Sequence, residues 1–197
     1  MMLEPADSDE CLKYSKLAYE LSERFDTPVL LRLTTRVSHS RSLADVGERV
    51  DNGLKAYEKN PQKYVMVPAN AKVKHVEVEK RILDQVAYCE AEAVEAGLNT
   101  VEYNSKKIGV ITSGICYEYA KEALGENASY LKLGCVYPLP TKLIEDFLFN
   151  VFLFQKSENV PQGKTFVFPR LTQRETNGII SKTNKLTQGR GKSRNSI

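Results

Sequence analysis

Two arginines with hydroxyls between them can grip a carboxylate or a phosphate. Residues 27–42, TPVLLRLTTRVSHSRS, supply Arg32, Thr34, Thr35, Arg36, His39 and Ser40 in that pattern. A planar guanidinium forks onto both oxygens of a carboxylate, and a nearby hydroxyl adds a further hydrogen bond. The run Pro28-Val29-Leu30-Leu31 just before them is short and apolar, which predicts a buried parallel strand. If the strand persists to Thr34, Arg32 and Thr34 share one face. Ligands of open α/β sheets collect beyond the carboxyl ends of such strands. The plainer alternative is a strand end meeting a neighbouring loop, with the arginines paired to Asp26 or Glu48.

A second constellation is Thr112-Ser113-Gly114, between an apolar run and a helical pattern. Backbone N–H groups at such a helix start can bind an anion. Equally, Gly114 can serve only to let the turn pack closely. Gly189-Arg190-Gly191-Lys192-Ser193 ends like a phosphate loop, but Leu186 stands where the first glycine is needed, and no strand or helix pattern flanks it. His39 and His75 are the only histidines, and no catalytic triad or metal-ligand spacing includes them. Cys11, Cys89, Cys116 and Cys135 are isolated, which fits neither a zinc site nor an iron–sulfur cluster. Four reduced thiols, mostly buried, in a cytoplasmic protein are expected.

These residues need elements to position them. Residues 7–25 predict a helix capped by Asp7 or Ser8, with Glu10 near the reciprocal position and Leu12, Leu17, Ala18 and Leu21 on one face. Asp26-Thr27-Pro28 ends it. A parallel strand at 28–31 needs a partner, expected upstream of Met1. Residues 75–96 predict a second helix, with Val78, Ile82, Leu83, Val86, Cys89 and Val94 as its stripe and Gly97-Leu98-Asn99 as its stop. Residues 106–124 read as strand, turn and helix, the helix packing Ile115, Tyr119, Ala120 and Ala123. Residues 130–137 read as a further strand, and Thr141 as the cap of a last helix. This order argues for a parallel α/β unit.

Hydrophobic content of 42% and charged content of 27% are ordinary for a globular protein. No apolar run is long enough for a membrane span, and the start MMLEPADSDE lacks a secretion-signal pattern. The net charge of +3 is unevenly spread: residues 155–197 carry nine Lys/Arg against two Asp/Glu, and the remainder is mildly acidic. Only Phe166 and Phe168 interleave with that basic charge, so nucleic acid is a weak expectation.

The phrases MLEPADSDE and ELSERFDTPVLLRLTTRVSHS resemble the large (alpha) subunit of indolepyruvate ferredoxin oxidoreductase, within the 2-oxoacid:ferredoxin oxidoreductases. The resemblance runs from about Leu3 to about Asp146. It implies an α/β fold: the end of a thiamine-diphosphate pyrimidine-type domain at 1–44, a connector at 45–100, and a transketolase C-terminal-like parallel α/β domain at 101–154. The resemblance fades after Phe149 and a divergent basic tail follows at 155–197, as after a frameshift or in an incomplete gene product; its Gly, Thr, Asn, Gln, Ser and basic residues predict disorder at 181–197. The parent enzyme would decarboxylate an aryl pyruvate on thiamine pyrophosphate with magnesium. Electrons would pass through 4Fe-4S clusters to ferredoxin, and coenzyme A would take the acyl group. The resemblance also implies partners: the remaining domains of the alpha subunit and a smaller beta subunit. The motifs for magnesium diphosphate and for clusters do not occur in this sequence. The expectation is therefore a chain inactive alone that binds none of these groups itself. The alternatives are a docking module of a multi-chain 2-oxoacid oxidoreductase and, less favoured, a basic-tailed nucleic-acid-binding protein.

Overall fold

The computed structural model describes residues 1–49, 51, 53 and 56–153. The expectations for 155–197, a disordered 181–197 among them, lie outside the described residues. The chain opens with β1 (Met2–Leu3) and α1 (Ser8–Phe25). The Asp7 side chain accepts from the Glu10 N–H at 2.8 Å, and the Glu10 carboxylate accepts from the Ala6 N–H at 2.8 Å. This reciprocal pair satisfies two amides at the start of α1. Tyr14, Leu21 and Phe25 form the buried face, with Leu17 and Ala18 packed beside them.

β2 (Leu30–Leu31) pairs in parallel with β1, and β1 pairs antiparallel with β6 (Cys135–Tyr137). Two expectations are corrected here. The partner of β2 lies inside the chain, at Met2–Leu3, with the Leu30 N–H bonded to Met1 O and the Arg32 N–H to Leu3 O. The strand is also not buried: Leu30 is 59% exposed, because among the described residues β2 is an edge strand paired on one side only. An apolar run marks a strand, but its place in the sheet depends on partners distant in sequence.

After β2 come the short helices α2 (Thr35–His39) and α3 (Pro61–Tyr64), then α4 (Pro68–Glu90) and α5 (Glu92–Glu95). α4 starts earlier than the stripe predicts, because Pro68 suits the first turn, where its missing N–H is not needed. Its packing face also differs from the predicted stripe. Leu83 is 69% exposed and Val78 is exposed too; the buried side chains are Gln85, Tyr88 and Cys89. Only the last turns of α4 meet the body. The helix expected over 75–96 is interrupted at Ala91. Gly97, at φ 72°, stops its second part, α5, with the Leu98 N–H returning to Ala93 O.

β3 (Asn99–Glu102), β4 (Gly109–Thr112) and β5 (Ser129–Leu133) form a second sheet in the order β3-β5-β4. β4 and β5 are parallel, Val110 facing Tyr130, joined through α6 (Ile115–Leu124) and a 3-10 turn at Gly125–Asn127. The parallel pair matches the expected β-α-β unit. β3 adds an antiparallel edge, so both sheets are mixed. α7 (Thr141–Leu153) packs Ile144, Phe147, Leu148 and Val151 on one face of this sheet, against Ile111, Leu131 and Leu133. α6 covers Val110 and Tyr130 on the other through Tyr117, Ala120 and Leu124. Tyr119, expected to pack, is exposed.

The run 130–137 is not one strand. It divides at Gly134, and β5 and β6 belong to different sheets. A Cβ at Gly134 would lie 2.3 Å from Leu98 O and 2.5 Å from the Tyr14 hydroxyl. The side chain of Asn99 accepts from the N–H groups of Gly134 and Cys135 at 3.0 and 3.1 Å, beside the Gly134 N–H bond to Leu98 O at 2.9 Å. One core cluster therefore unites Leu3, Tyr14, Leu21, Tyr88, Cys89, Ala93, Leu98 and Cys135, drawn from both ends of the described chain.

Candidate functional site

Glu4 follows β1 directly, and its N–H bonds to Gly134 O at 2.8 Å. Its side chain is 2% exposed. The Ser113 hydroxyl donates to the Glu4 carboxylate at 3.1 Å, and the Arg32 guanidinium lies 3.9 Å from the same oxygen. The two stretches that the sequence singles out separately, 32–40 and 112–114, thus converge on one buried acid. An anion does sit against the Thr112-Ser113-Gly114 turn, and it belongs to the chain itself. A Cβ at Gly114 would lie 2.9 Å from the Glu4 carboxylate, and Gly114 has φ 55°, so space and backbone both call for glycine. Gly114 is also the N-cap of α6, which has no side-chain cap, so the carboxylate faces the positive end of the helix. Thr112 is buried beside it, and its hydroxyl has no hydrogen-bond partner among the described residues.

The other candidates distribute around this acid. The strand stops at Leu31, so Arg32 and Thr34 do not share a strand face as a longer strand would require. Thr34 caps α2 instead, its hydroxyl accepting from the Val37 N–H at 3.4 Å. Buried Val37 anchors that turn, while Thr35, Arg36 and His39 stay exposed. Ser40 donates to Val37 O at 2.8 Å and lies 3.2 Å from the Ser8 hydroxyl, tying α2 to the start of α1. Asp26, the expected partner of an arginine here, pairs with Lys63 at 2.6 Å and with Arg81 at 3.9 Å. The Lys63 ammonium holds the Asp26 carboxyl below its usual range. Arg32 pairs with Glu4 in its place and remains 47% exposed.

A second buried charge lies one strand away. Lys132 stands opposite Thr112 in the β4–β5 register, with its ammonium on Glu10 and 4.8 Å from the Tyr117 ring. Tyr117 and Lys121 both reach the Glu102 carboxylate. Glu10 is read by spacing only as a cap, not as the partner of Lys132. Glu4 and Lys132 escape a reading by spacing. Their signals are faint ones: an acid between Leu3 and Pro5, and a lone cation inside the apolar run YLKLGCVY.

No group of three or more His, Cys, Asp or Glu side chains among the described residues is arranged to hold a metal ion. Cys89 and Cys135 lie buried together, while Cys11 and Cys116 are half-buried elsewhere. The four cysteines thus assemble no four-thiolate set of the kind that holds a four-iron cluster. No helix of the described residues is long and apolar enough to cross a membrane.

Fold and site together define a mixed α/β segment that presents an arginine-bearing strand end over a buried acid. Its relatives are oxidoreductase subunits. The chain is 40% identical over 154 residues to indolepyruvate oxidoreductase subunit IorA of Methanothermobacter thermautotrophicus, covering 75% of this chain and 24% of that one. It is 38% identical over 151 residues to the same subunit of Methanothermobacter marburgensis, again covering 75% of this chain and 24% of the relative. For the Pyrococcus abyssi subunit the identity is 33% over 193 residues, 90% of this chain and 29% of the relative. That last match necessarily reaches past residue 154, into the stretch read as divergent. No protein-family model matches the chain. The chain is thus related to one segment of the IorA subunit, as the sequence resemblance implies, and it spans about a quarter of the length of these curated relatives.

Proposed function

We propose that this chain supplies the Glu4-centred α/β segment of an IorA-type alpha subunit, within an enzyme that oxidatively decarboxylates indolepyruvate or a similar aryl pyruvate. In this reading residues 1–44 close a thiamine-diphosphate pyrimidine-type domain and 101–154 form a transketolase C-terminal-like domain. Thiamine pyrophosphate with magnesium, 4Fe-4S clusters and coenzyme A are held by other parts of the assembly, which includes a beta subunit and passes electrons to ferredoxin in the cytoplasm. The chain itself contributes position and charge. The observation that carries the reading is the 40% identity to an IorA subunit over three quarters of this chain.

Within that assembly the exposed cations Arg32 and Arg36, with the exposed His39 beside them, are offered to an anionic 2-oxoacid. Glu4 takes only part of the Arg32 charge, at a loose 3.9 Å, so Arg32 keeps donors for a carboxylate. The matching segment of a full-length IorA subunit, exchanged for residues 3–146 of this chain, gives the assay. In it, Arg36→Lys keeps the charge and loses the fork. A rise in KM for indolepyruvate with unchanged folding supports substrate contact. Unchanged KM and kcat for both Arg32→Lys and Arg36→Lys would leave the stretch as framework.

A further inference from the structure

Cys89 and Cys135 meet in the core. Their sulfurs lie 2.7 Å apart, both side chains are fully buried, and they come from the last turn of α4 and from β6. That separation is about 0.7 Å longer than a disulfide bond of ~2.05 Å. Asn99 fixes both partners from the middle: its amide donates to Cys89 O at 2.8 Å, and its carbonyl accepts from the Cys135 N–H at 3.1 Å. One side chain therefore ties both backbones while the sulfurs stay in contact. Cys11 and Cys116, by contrast, have no such pairing and are half-buried.

We propose that Cys89 and Cys135 form a reversible intrachain disulfide, with a peroxide as oxidant, and that this bridge locks α4 to the β6 edge. The Cys135 sulfur attacks one peroxide oxygen as its thiol loses a proton; the O–O bond breaks and that proton joins the departing hydroxide, giving a sulfenic acid and one water. The Cys89 thiol then displaces the sulfenic hydroxyl, giving the disulfide and a second water. Two thiols and one hydrogen peroxide become one disulfide and two waters. The two sulfurs share one hydrogen bond. That contact holds the Cys135 thiol below its ordinary value, while Cys89 is pushed up by the contact and by burial, which favours Cys135 as the attacking sulfur. Access comes through local opening. α4 is held by three buried side chains near its end, and β6 is a three-residue edge strand.

The bridge has a structural consequence. α4 runs for 23 residues, and Val73, Val76, Val78 and Leu83 along it are exposed. Its buried contacts with the body lie in its last turns, which carry Cys89. Cys135 in turn follows Gly134, whose carbonyl receives the Glu4 N–H. Oxidation would thus rigidify both the α4 anchor and the strand beside Glu4.

The test is peroxide titration of the purified full-length chain, with alkylation of remaining thiols under denaturing conditions and peptide mapping. The expected result is a Cys89–Cys135 linked peptide, with Cys11 and Cys116 still alkylated, reversed by dithiothreitol. The oxidised chain should also melt at a higher temperature than the reduced one, since the bridge closes a long loop. Cys11→Ser with Cys116→Ser in one chain should leave the linked peptide unchanged. Alkylatable Cys89 and Cys135 at peroxide levels that already oxidise Cys11 or Cys116 would overturn the proposal. So would linkage of either core cysteine to Cys11 or Cys116.

Discussion

Ser113 donates its hydroxyl to the carboxylate of Glu4 at 3.1 Å, across 109 residues of sequence. This bond joins the first strand of one sheet to the helix turn of the other. Glu4→Ala leaves the Ser113 hydroxyl buried without its acceptor and removes the charge from the start of α6. The expected cost is about 2 kcal/mol, the usual effect of orphaning a buried polar group. Arg32→Ala should cost under about 1 kcal/mol, because its ion pair with Glu4 is long and half-exposed. Urea unfolding of the two variants checks this order; equal losses would place the weight on the ion pair instead.

Lys132 and Glu10 tie α1 to the second sheet, and both are largely buried. Removing one partner strands the other, at a cost of about 3 kcal/mol. Lys132→Met combined with Glu10→Gln should cost clearly less than the two single changes added together. A double-mutant cycle by thermal unfolding measures that coupling. Additive losses would show that the two side chains act independently.

Gly134 is required for space rather than for backbone freedom. Gly134→Ala should cost about 3 kcal/mol, since Leu98 O and the Tyr14 hydroxyl must both move. Gly97→Ala meets nothing within 4 Å but keeps a positive φ, so about 1 kcal/mol is expected. Denaturation midpoints of the two variants decide it, and a Gly134→Ala loss no larger than that of Gly97→Ala would refute the crowding.

Glu102 carries an acid-side signature. Burial opposes its ionisation, but Lys121 and Tyr117 outweigh that and hold its carboxyl below the usual value of 4.5. A carboxyl depressed in the folded state adds stability above its unfolded value, and that stability fades as pH falls through the folded value. Melting temperature measured from pH 6 to 3 should fall more steeply for the wild type than for Glu102→Gln. Parallel curves would assign the acid sensitivity elsewhere.

Local signals were readable where local physics decides. Asp7 and Glu10 cap α1 as their spacing predicts, Gly97 stops α5, and 109–112 pairs in parallel with 129–133 across a helix. What the sequence conceals depends on long-range partners. Leu30 reads as core and is an edge residue, because among the described residues its strand partner is the two-residue β1 alone. The stripe on α4 reads as packed, yet only its last turns find a surface. Gly134 sits unannounced in an apolar run and divides it between two sheets. Arg32 and Ser113 were both visible as polar strand-end residues; nothing in their spacing shows that Glu4 lies between them.

The most direct measurement is turnover by the segment-exchanged subunit. Residues 3–146 of this chain replace the matching segment in Methanothermobacter IorA, which is then assembled into its enzyme and supplied with indolepyruvate and a low-potential electron acceptor. The account predicts indolepyruvate-dependent acceptor reduction within about tenfold of the parent, a loss of no more than about 1.4 kcal/mol in transition-state stabilisation. A correctly assembled enzyme with no indolepyruvate-dependent reduction would contradict it.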